Sequence, residues 1–313
     1  MEVRLLITGG TGMLGSALVS AAKLSAYEVL VPNRSDLNLG DSSQVKDYFS
    51  ANHPEVVIHA AARVGGIAAN IAHPVEFLTE NIEIDSHVLS AARTFGVKRL
   101  VYVGSSCMYP KDTSNPMRVD QLLSGKLEPT NEGYAIAKLV GTKHVQYVAE
   151  TTGWAWRNFI PSNLYGPGDH FSPDRSHLLA AVIQKVVAAK LGAMDFVSMW
   201  GDGSVRREFT YVQDVADFMV DSLAKLKDLP VSMNIGCGVD YSVLEYYKLV
   251  IEELRAQVEI IADLSKPVGM AQKLLDVQTA KSLGWNPLTS ITDGIRATID
   301  WYLSTNKIIL PDD

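Results

Sequence analysis

Near its start the sequence reads LLIT, then GGTGMLG, then a segment of helical period over 13–23, which places Gly9, Gly12 and Gly15 in a GxxGxxG spacing between a strand and a helix. Few folds use that arrangement. The first glycine permits a tight turn, the second lets backbone approach a pyrophosphate, and the third lets the helix pack close to the strand, while the helix N-terminus faces the phosphate charge. Alone, the spacing would be an ordinary glycine-rich turn; flanked by a strand and a helix it predicts a dinucleotide loop, with Gly9, Gly12, Met13, Leu14 and Gly15 against the cofactor.

The alternation continues downstream. Apolar runs at 4–8, 28–31, 56–59, 99–104 and 156–160 read as strands, and the segments 13–23, 43–51, 75–95 and 132–152 between them have helical period. That order predicts an α/β fold built on a doubly wound parallel sheet. After Pro161 the texture changes to NLYGPGDHFSPD, dense in Gly, Pro and Asp, which marks a loop and a departure from the first domain. Helical patterns follow at 176–190, 212–225, 242–256 and 291–303, with short strands near 196–200, 232–235 and 259–261. A length of 313 residues suits two domains at roughly 150 residues each. They are expected to interleave: 1–163 with 207–237 as a Rossmann dinucleotide-binding domain, and 164–206 with 238–313 as a smaller α/β substrate domain.

Twenty-eight Lys and Arg stand against 35 Asp and Glu, a net charge of −7, and no basic run stands out. That argues against nucleic acid or an anionic membrane as partner, so any anionic ligand has to be held by local cations. Cys107 and Cys237 are the two cysteines, too few for a disulfide framework or a cysteine metal site. With no targeting pattern, and no apolar stretch approaching the roughly 18 residues of a membrane span, the expected compartment is the cytoplasm. At the end of the second strand, VLVPNRSD offers Asn33 and Arg34 where an acidic residue would hold a ribose 2′-hydroxyl. Arg34 suits a 2′-phosphate, which favours NADP(H) over NAD(H), against the plainer reading of a solvated loop arginine.

On the predicted helix 132–152, Tyr134 and Lys138 stand at i and i+4, on one face. An ammonium beside a phenol stabilises the phenolate, so this pair is expected to bring the Tyr134 pKa toward working pH and make it a proton donor or acceptor for a carbonyl. The spacing is common by chance, and context supplies the rest. Upstream, RLVYVG runs into Ser105 and Ser106 at the carboxyl end of a strand, where doubly wound sheets hold their ligands, and a serine there can bond the same carbonyl.

These residues, with HAAARVGGIAAN (59–70), GSSCMYP (104–110), EPTNEGYAIAK (128–138), NLYGPGDHF (163–171), SHLLAA (176–181), WGDGSVRREF (200–209) and KLLDV (273–277), span nearly the whole chain. The set resembles the extended short-chain dehydrogenase/reductase superfamily and, within it, the GDP-L-fucose synthase family of GDP-4-keto-6-deoxy-D-mannose 3,5-epimerase/4-reductases. The resemblance implies an NADPH-dependent bifunctional enzyme with Ser105, Tyr134 and Lys138 as reductase triad and Cys107 and His177 as the acid/base pair for epimerisation. It also implies Arg34, Lys138, Asn163 and His177 at the cofactor, and Lys185, Trp200 and Arg207 at a GDP-sugar, with Lys185 where arginine is common. A homodimer built on helices 75–95 and 132–152 is implied as well.

The chemistry makes sense of that set. A C4 ketone acidifies the hydrogens on C3 and C5, because loss of either gives an enolate whose charge rests on one oxygen, so a single clamp from Ser105 and Tyr134 serves every step. Inverting a centre needs a proton to leave one face and another to arrive on the opposite face, hence two titratable groups. Taken singly, Cys107 would read as a buried small hydrophobe and His177 as a helix-start histidine. Cys237 reads as a small residue packed beside glycines, His59 as a strand-end group that does not titrate, Trp200 as a core residue or a platform, and Arg206 with Arg207 as a solvated pair or the local cations.

Three departures from the family pattern stand out: Val268 to Gln272 where an acidic residue and GTPR are common, Thr11 where some members carry Arg, and Gly133 where Pro is usual, which would loosen the helix start. Two competing readings are a colitose-type synthase, epimerising only C5 of a 3,6-dideoxy-4-keto substrate, and a non-catalytic NADP-binding sensor. The intact Ser105, Tyr134 and Lys138 set argues against the sensor.

Overall fold

The central strands are apolar on both sides and therefore need cover on both faces. The computed structural model describes residues 2–172 and 176–311. In chain order it runs β1 (Val3–Thr8), α1 (Met13–Lys23), β2 (Tyr27–Leu30), α2 (Ser42–Asn52), β3 (Val56–His59), α3 (Ile67–Ala72), α4 (Pro74–Thr94), β4 (Arg99–Val103), α5 (Glu132–Thr152) and β5 (Ala155–Pro161). The remainder is β6 (Asn163–Tyr165), α6 (Leu178–Lys190), β7 (Phe196–Trp200), β8 (Arg206–Arg207), β9 (Phe209–Tyr211), α7 (Val212–Ser222), β10 (Ser232–Ile235), β11 (Tyr241–Ser242), α8 (Val243–Leu254), β12 (Glu259–Asp263), β13 (Gln272–Lys273), α9 (Gln278–Ser282) and α10 (Ile291–Asn306).

Six strands form one sheet in the order β10-β5-β4-β3-β1-β2, with every neighbouring pair parallel. The period of two sorts the side chains. Leu5, Ile7, Val56, Ile58, Val101 and Val103 meet α1 and α7 on one face, and Leu6, Val57, Leu100 and Tyr102 meet α2, α4 and α5 on the other. The fold is the doubly wound sheet the alternation predicts. The chain leaves β1 for β2 on one side and returns to β3 on the other, which opens a crevice at the carboxyl ends of β1 and β3. A separate apolar core joins Leu179 and Ile183 of α6, Tyr246 and Val250 of α8, and Ile295 and Ile299 of α10 over β7. Three small sheets, β11-β8-β13, β12-β7 and β6-β9, surround it.

Several boundaries differ from the sequence reading for identifiable reasons. Helix α6 begins at Leu178 with His177 in extended conformation as its N-cap, so His177 sits at the mouth of the helix rather than inside it. The helix expected to reach residue 225 ends at Ser222 and continues as a 3₁₀ turn, Leu223–Asp228. Leu223, Leu226 and Leu229 all enter the core, and a spacing of three residues matches the 3₁₀ period better than 3.6. Strand β12 runs on to Asp263 through parallel pairing with β7, and α10 runs on to Asn306 before Lys307 caps it in the left-handed region. Helix α5 starts at Glu132 as expected in spite of Gly133. A Cβ at Gly133 would lie 2.7 Å from the Pro74 carbonyl oxygen, so the missing side chain lets the starts of α4 and α5 touch. Among the described residues no helix is long and apolar enough to cross a membrane.

Candidate active site

Gly9, Gly12 and Gly15 lie in the crevice beyond β1. A Cβ at Gly15 would fall 1.9 Å from the Gly9 carbonyl oxygen, so the helix can sit this close to the turn only without one. Gly12 is the N-cap of α1 and supplies no side-chain acceptor, which leaves the first amides of the helix, at Met13 and Leu14, facing the crevice. This is an anion cradle suited to a pyrophosphate. Beyond β2, Asn33 folds its loop by accepting hydrogen bonds from the Ser35 amide and hydroxyl and the Asp36 amide. Arg34 on that loop is exposed and has no ion-pair partner among the described residues. A 2′-phosphate fits this end of the crevice. Asn163, just past β5, donates its amide to the Glu208 carbonyl at 3.1 Å.

Ser105 ends the β4 segment and caps a 3₁₀ turn, Ser106–Met108, its hydroxyl accepting from the Cys107 amide at 3.2 Å. The Tyr134 phenol of α5 lies beside that hydroxyl. Burial pushes that phenol well above its ordinary pKa, with charge on Cys107 and Asp85 adding to the rise and the polar Ser105 hydroxyl opposing it. This corrects the sequence expectation that Lys138 would pull Tyr134 down. The Lys138 ammonium is buried 3.5 Å from the Asp85 carboxylate and 4.6 Å from the centre of the Tyr102 ring, so a nearby anion offsets much of its field. Tyr134 is therefore protonated at neutral pH.

Asp85 is the residue the sequence reading missed. Its Oδ1 faces the His59 Nε2 at 3.0 Å, its Oδ2 accepts from the Tyr102 hydroxyl at 2.5 Å, and the His59 Nδ1 meets the Thr8 hydroxyl at 2.7 Å. Burial raises the Asp85 carboxyl, but Lys138, His59 and Tyr102 together hold it below its ordinary value. Burial also holds His59 below its usual range, against the pull of Asp85, so the ring is neutral. The result is a hydrogen-bonded line from the end of β1 to Lys138. The usable signal was positional: on α4, Asp85 shares a stripe with buried Asn81, Val88 and Ala92, and a charge in such a stripe needs a partner.

Cys107 looks into the opposite wall. Asn131 donates its side-chain amide to Sγ at 3.0 Å, and the ammonium of Lys273, a buried residue on β13, lies 3.6 Å from Sγ. Arg206 and Arg207 turn apart. Arg206 pairs with Asp240 at 2.9 Å and Glu245 at 3.4 Å, whereas Arg207 points inward, held by the carbonyls of Arg206 (2.7 Å) and Val268 (2.8 Å). Burial draws the Arg207 pKa down, and no carboxylate pairs with it among the described residues. The departure at 268–272 thus supports Arg207 through backbone, while Gln272 bonds Asp240 at 2.6 Å. A Cβ at Gly66 would lie 2.8 Å from the Ser176 carbonyl, so the turn before α3 packs beside His177, whose imidazole burial holds below its usual pKa. Lys185 donates to the Ser198 carbonyl at 2.6 Å and the Tyr247 hydroxyl at 3.3 Å, and the half-exposed Trp200 carries the Lys266 ammonium 5.9 Å over its ring. Cys237 donates to the carbonyls of Phe209 and Val239.

A dinucleotide crevice whose far wall carries a Ser-Tyr-Lys set defines a class, and residues 5–236 match the NAD dependent epimerase/dehydratase family, to which the chain belongs. A GDP-L-fucose synthase of Azorhizobium caulinodans is 42% identical over 97% of this chain and 98% of that protein. A GDP-L-colitose synthase of Yersinia pseudotuberculosis is 39% identical, covering 96% and 98% respectively. The chain also superposes on a GDP-L-fucose synthetase from Naegleria fowleri bound to NADP with a TM-score of 0.84 and 26% identity, over 97% of this chain and 94% of the other.

Proposed function

We propose that the protein is an NADPH-dependent epimerase/reductase that converts GDP-4-keto-6-deoxy-D-mannose to GDP-L-fucose. The observation that carries the reading is that Ser105 and Cys107 share one turn at the end of β4, with Tyr134 beside them, so an oxyanion clamp and a proton-moving thiol face one cleft. Ser105 and Tyr134 hold the ketone oxygen while Cys107 and His177 remove and return protons at C3 and C5. The neutral imidazole of His177 is free to accept a proton. When bound, the reduced dinucleotide supplies hydride to C4. Tyr134 then gives its proton to O4, and Lys138, kept charged by Asp85, steadies the phenolate that forms. The amides of Met13 and Leu14 and the guanidinium of Arg34 hold the cofactor phosphates, with Asn163 beside its far end. Arg207, Lys185 and Trp200 serve the GDP-sugar, in a substrate unit made of 164–206 and 238–313.

Asn33 and Arg34 in place of an acidic residue support NADPH as the reductant. Ile136, Val140 and Tyr147, exposed along one side of α5, support a homodimer through α4 and α5. The cytoplasm is the proposed compartment. The likeness to a colitose synthase favours a second reading, epimerisation at C5 alone on a 3-deoxy substrate. Incubation of variants in D₂O separates the steps: Cys107→Ser loses deuterium incorporation at C3, C5 or both, and Tyr134→Phe slows reduction by about 10²–10⁴-fold while exchange persists. Wild-type exchange at both carbons in Cys107→Ser would remove the thiol from the mechanism.

A further inference from the structure

Cys107 and Lys273 are far apart in sequence, yet the fold places the ammonium 3.6 Å from the sulfur by a dedicated construction. Strand β13 pairs in parallel with β8, which sets Lys273 level with Arg207. The next residue on the β8 side, Glu208, is buried, and its amide donates to the Lys273 carbonyl at 3.1 Å. One Glu208 carboxylate oxygen accepts from the Leu275 amide at 2.8 Å and the other from the Gly238 amide at 2.6 Å. Glu208 thus holds the backbone at Lys273 and Leu275, and the Lys273 side chain is directed at the turn carrying Cys107. On the other side Asn131, from the segment just before α5, donates to the same sulfur.

We propose that Lys273 is a positioning residue for epimerisation, holding the sulfur of Cys107 in register with the substrate carbon. The inference rests on the reading above, in which Cys107 moves protons. When Cys107 takes a proton from carbon, the S–H bond forms, the C–H pair becomes the enolate and the charge passes to the ketone oxygen; when it gives one, the sulfur is left negative beside Lys273. The ammonium and the Asn131 amide both point at this one atom, so together they fix where the sulfur lies. The other groups facing the sulfur are Arg207 on β8, which adds positive charge, and Tyr134 on α5, a neutral phenol at working pH. Lys273 is the cation in direct contact, so its removal is not made up by Arg207.

The test is alkylation of Cys107 by iodoacetamide in the intact enzyme, followed by peptide mass spectrometry that separates it from Cys237, across pH 6 to 10. Lys273→Met and Lys273→Gln are expected to slow Cys107 alkylation at neutral pH by about tenfold or more, with Lys273→Arg restoring most of the rate. Deuterium exchange should fall with alkylation, while reduction of an already epimerised 4-keto substrate is retained. Two variants of different polarity guard against a folding defect, and unchanged circular dichroism selects the one that is read. Wild-type alkylation in Lys273→Gln would overturn the proposal. Wild-type exchange in Cys107→Ser would instead overturn the role of the cysteine, a separate outcome that the alkylation result does not share.

Discussion

Replacing Asp85 by Ala should be the most costly single truncation near the site, and its cost should depend on pH. The carboxylate is buried, with Lys138 at 3.5 Å, His59 at 3.0 Å and Tyr102 bonded to it, and the side chains of both Asp85 and Lys138 are 3% exposed. Solvent cannot replace the lost partner. Breaking one side of such a buried pair costs about 3–5 kcal/mol. Burial already lowers the folded-state Lys138 pKa below 10.5, and loss of Asp85 lowers it further, because Asp85 is the group that raises it. A lysine whose folded pKa is depressed makes the unfolded chain bind more protons, so stability rises with pH up to the unfolded value, by at most about 1.4 kcal/mol per pH unit for one proton. The gap between wild type and Asp85→Ala should therefore shrink between pH 7 and pH 9.5. Urea unfolding of both proteins at the two pH values measures it. A gap below about 1 kcal/mol at pH 7, or one that does not change with pH, would refute the buried-pair argument.

Arg34→Ala should weaken NADPH binding by about ten- to a hundredfold in titration calorimetry and leave NADH nearly unchanged, and equal losses would show that Arg34 does not read the phosphate. Gly141→Ala places a Cβ 2.3 Å from the Tyr102 hydroxyl and 3.0 Å from an Asp85 oxygen, so thermal unfolding should show a loss of about 1–3 kcal/mol. A stabilised Gly141→Ala protein would mean that α5 does not pack this tightly on β4. Val140→Asp, in the exposed apolar stripe of α5, should convert a dimer to a monomer in sedimentation velocity, whereas a wild-type monomer at micromolar concentration would remove the dimer.

The central strands β1, β3 and β4 were legible because each buries an apolar run between two helix layers, and the glycine loop because its steric demands leave few alternatives. The Ser105, Cys107 and Tyr134 cluster was legible through motifs that lie near the carboxyl end of one strand. Strands β8 and β13 have two residues each and carry no period, so the contact that brings Lys273 to Cys107 existed only in the tertiary fold. Asp85 went unread because a single acid on a long amphipathic helix usually faces water, and its partners lie on β3, β4 and α5. The pKa direction of Tyr134 was misjudged for the same reason, since i, i+4 spacing reveals Lys138 but not the anion that offsets it.

The most direct measurement is the product formed when GDP-4-keto-6-deoxy-D-mannose is incubated with the protein and NADPH in D₂O and examined by NMR. The account predicts GDP-L-fucose carrying deuterium at both C3 and C5, with one NADPH consumed per product. A C4-reduced sugar with unlabelled, uninverted C3 and C5 would leave a plain reductase, and label at C5 alone would move the chain to the colitose-type reading.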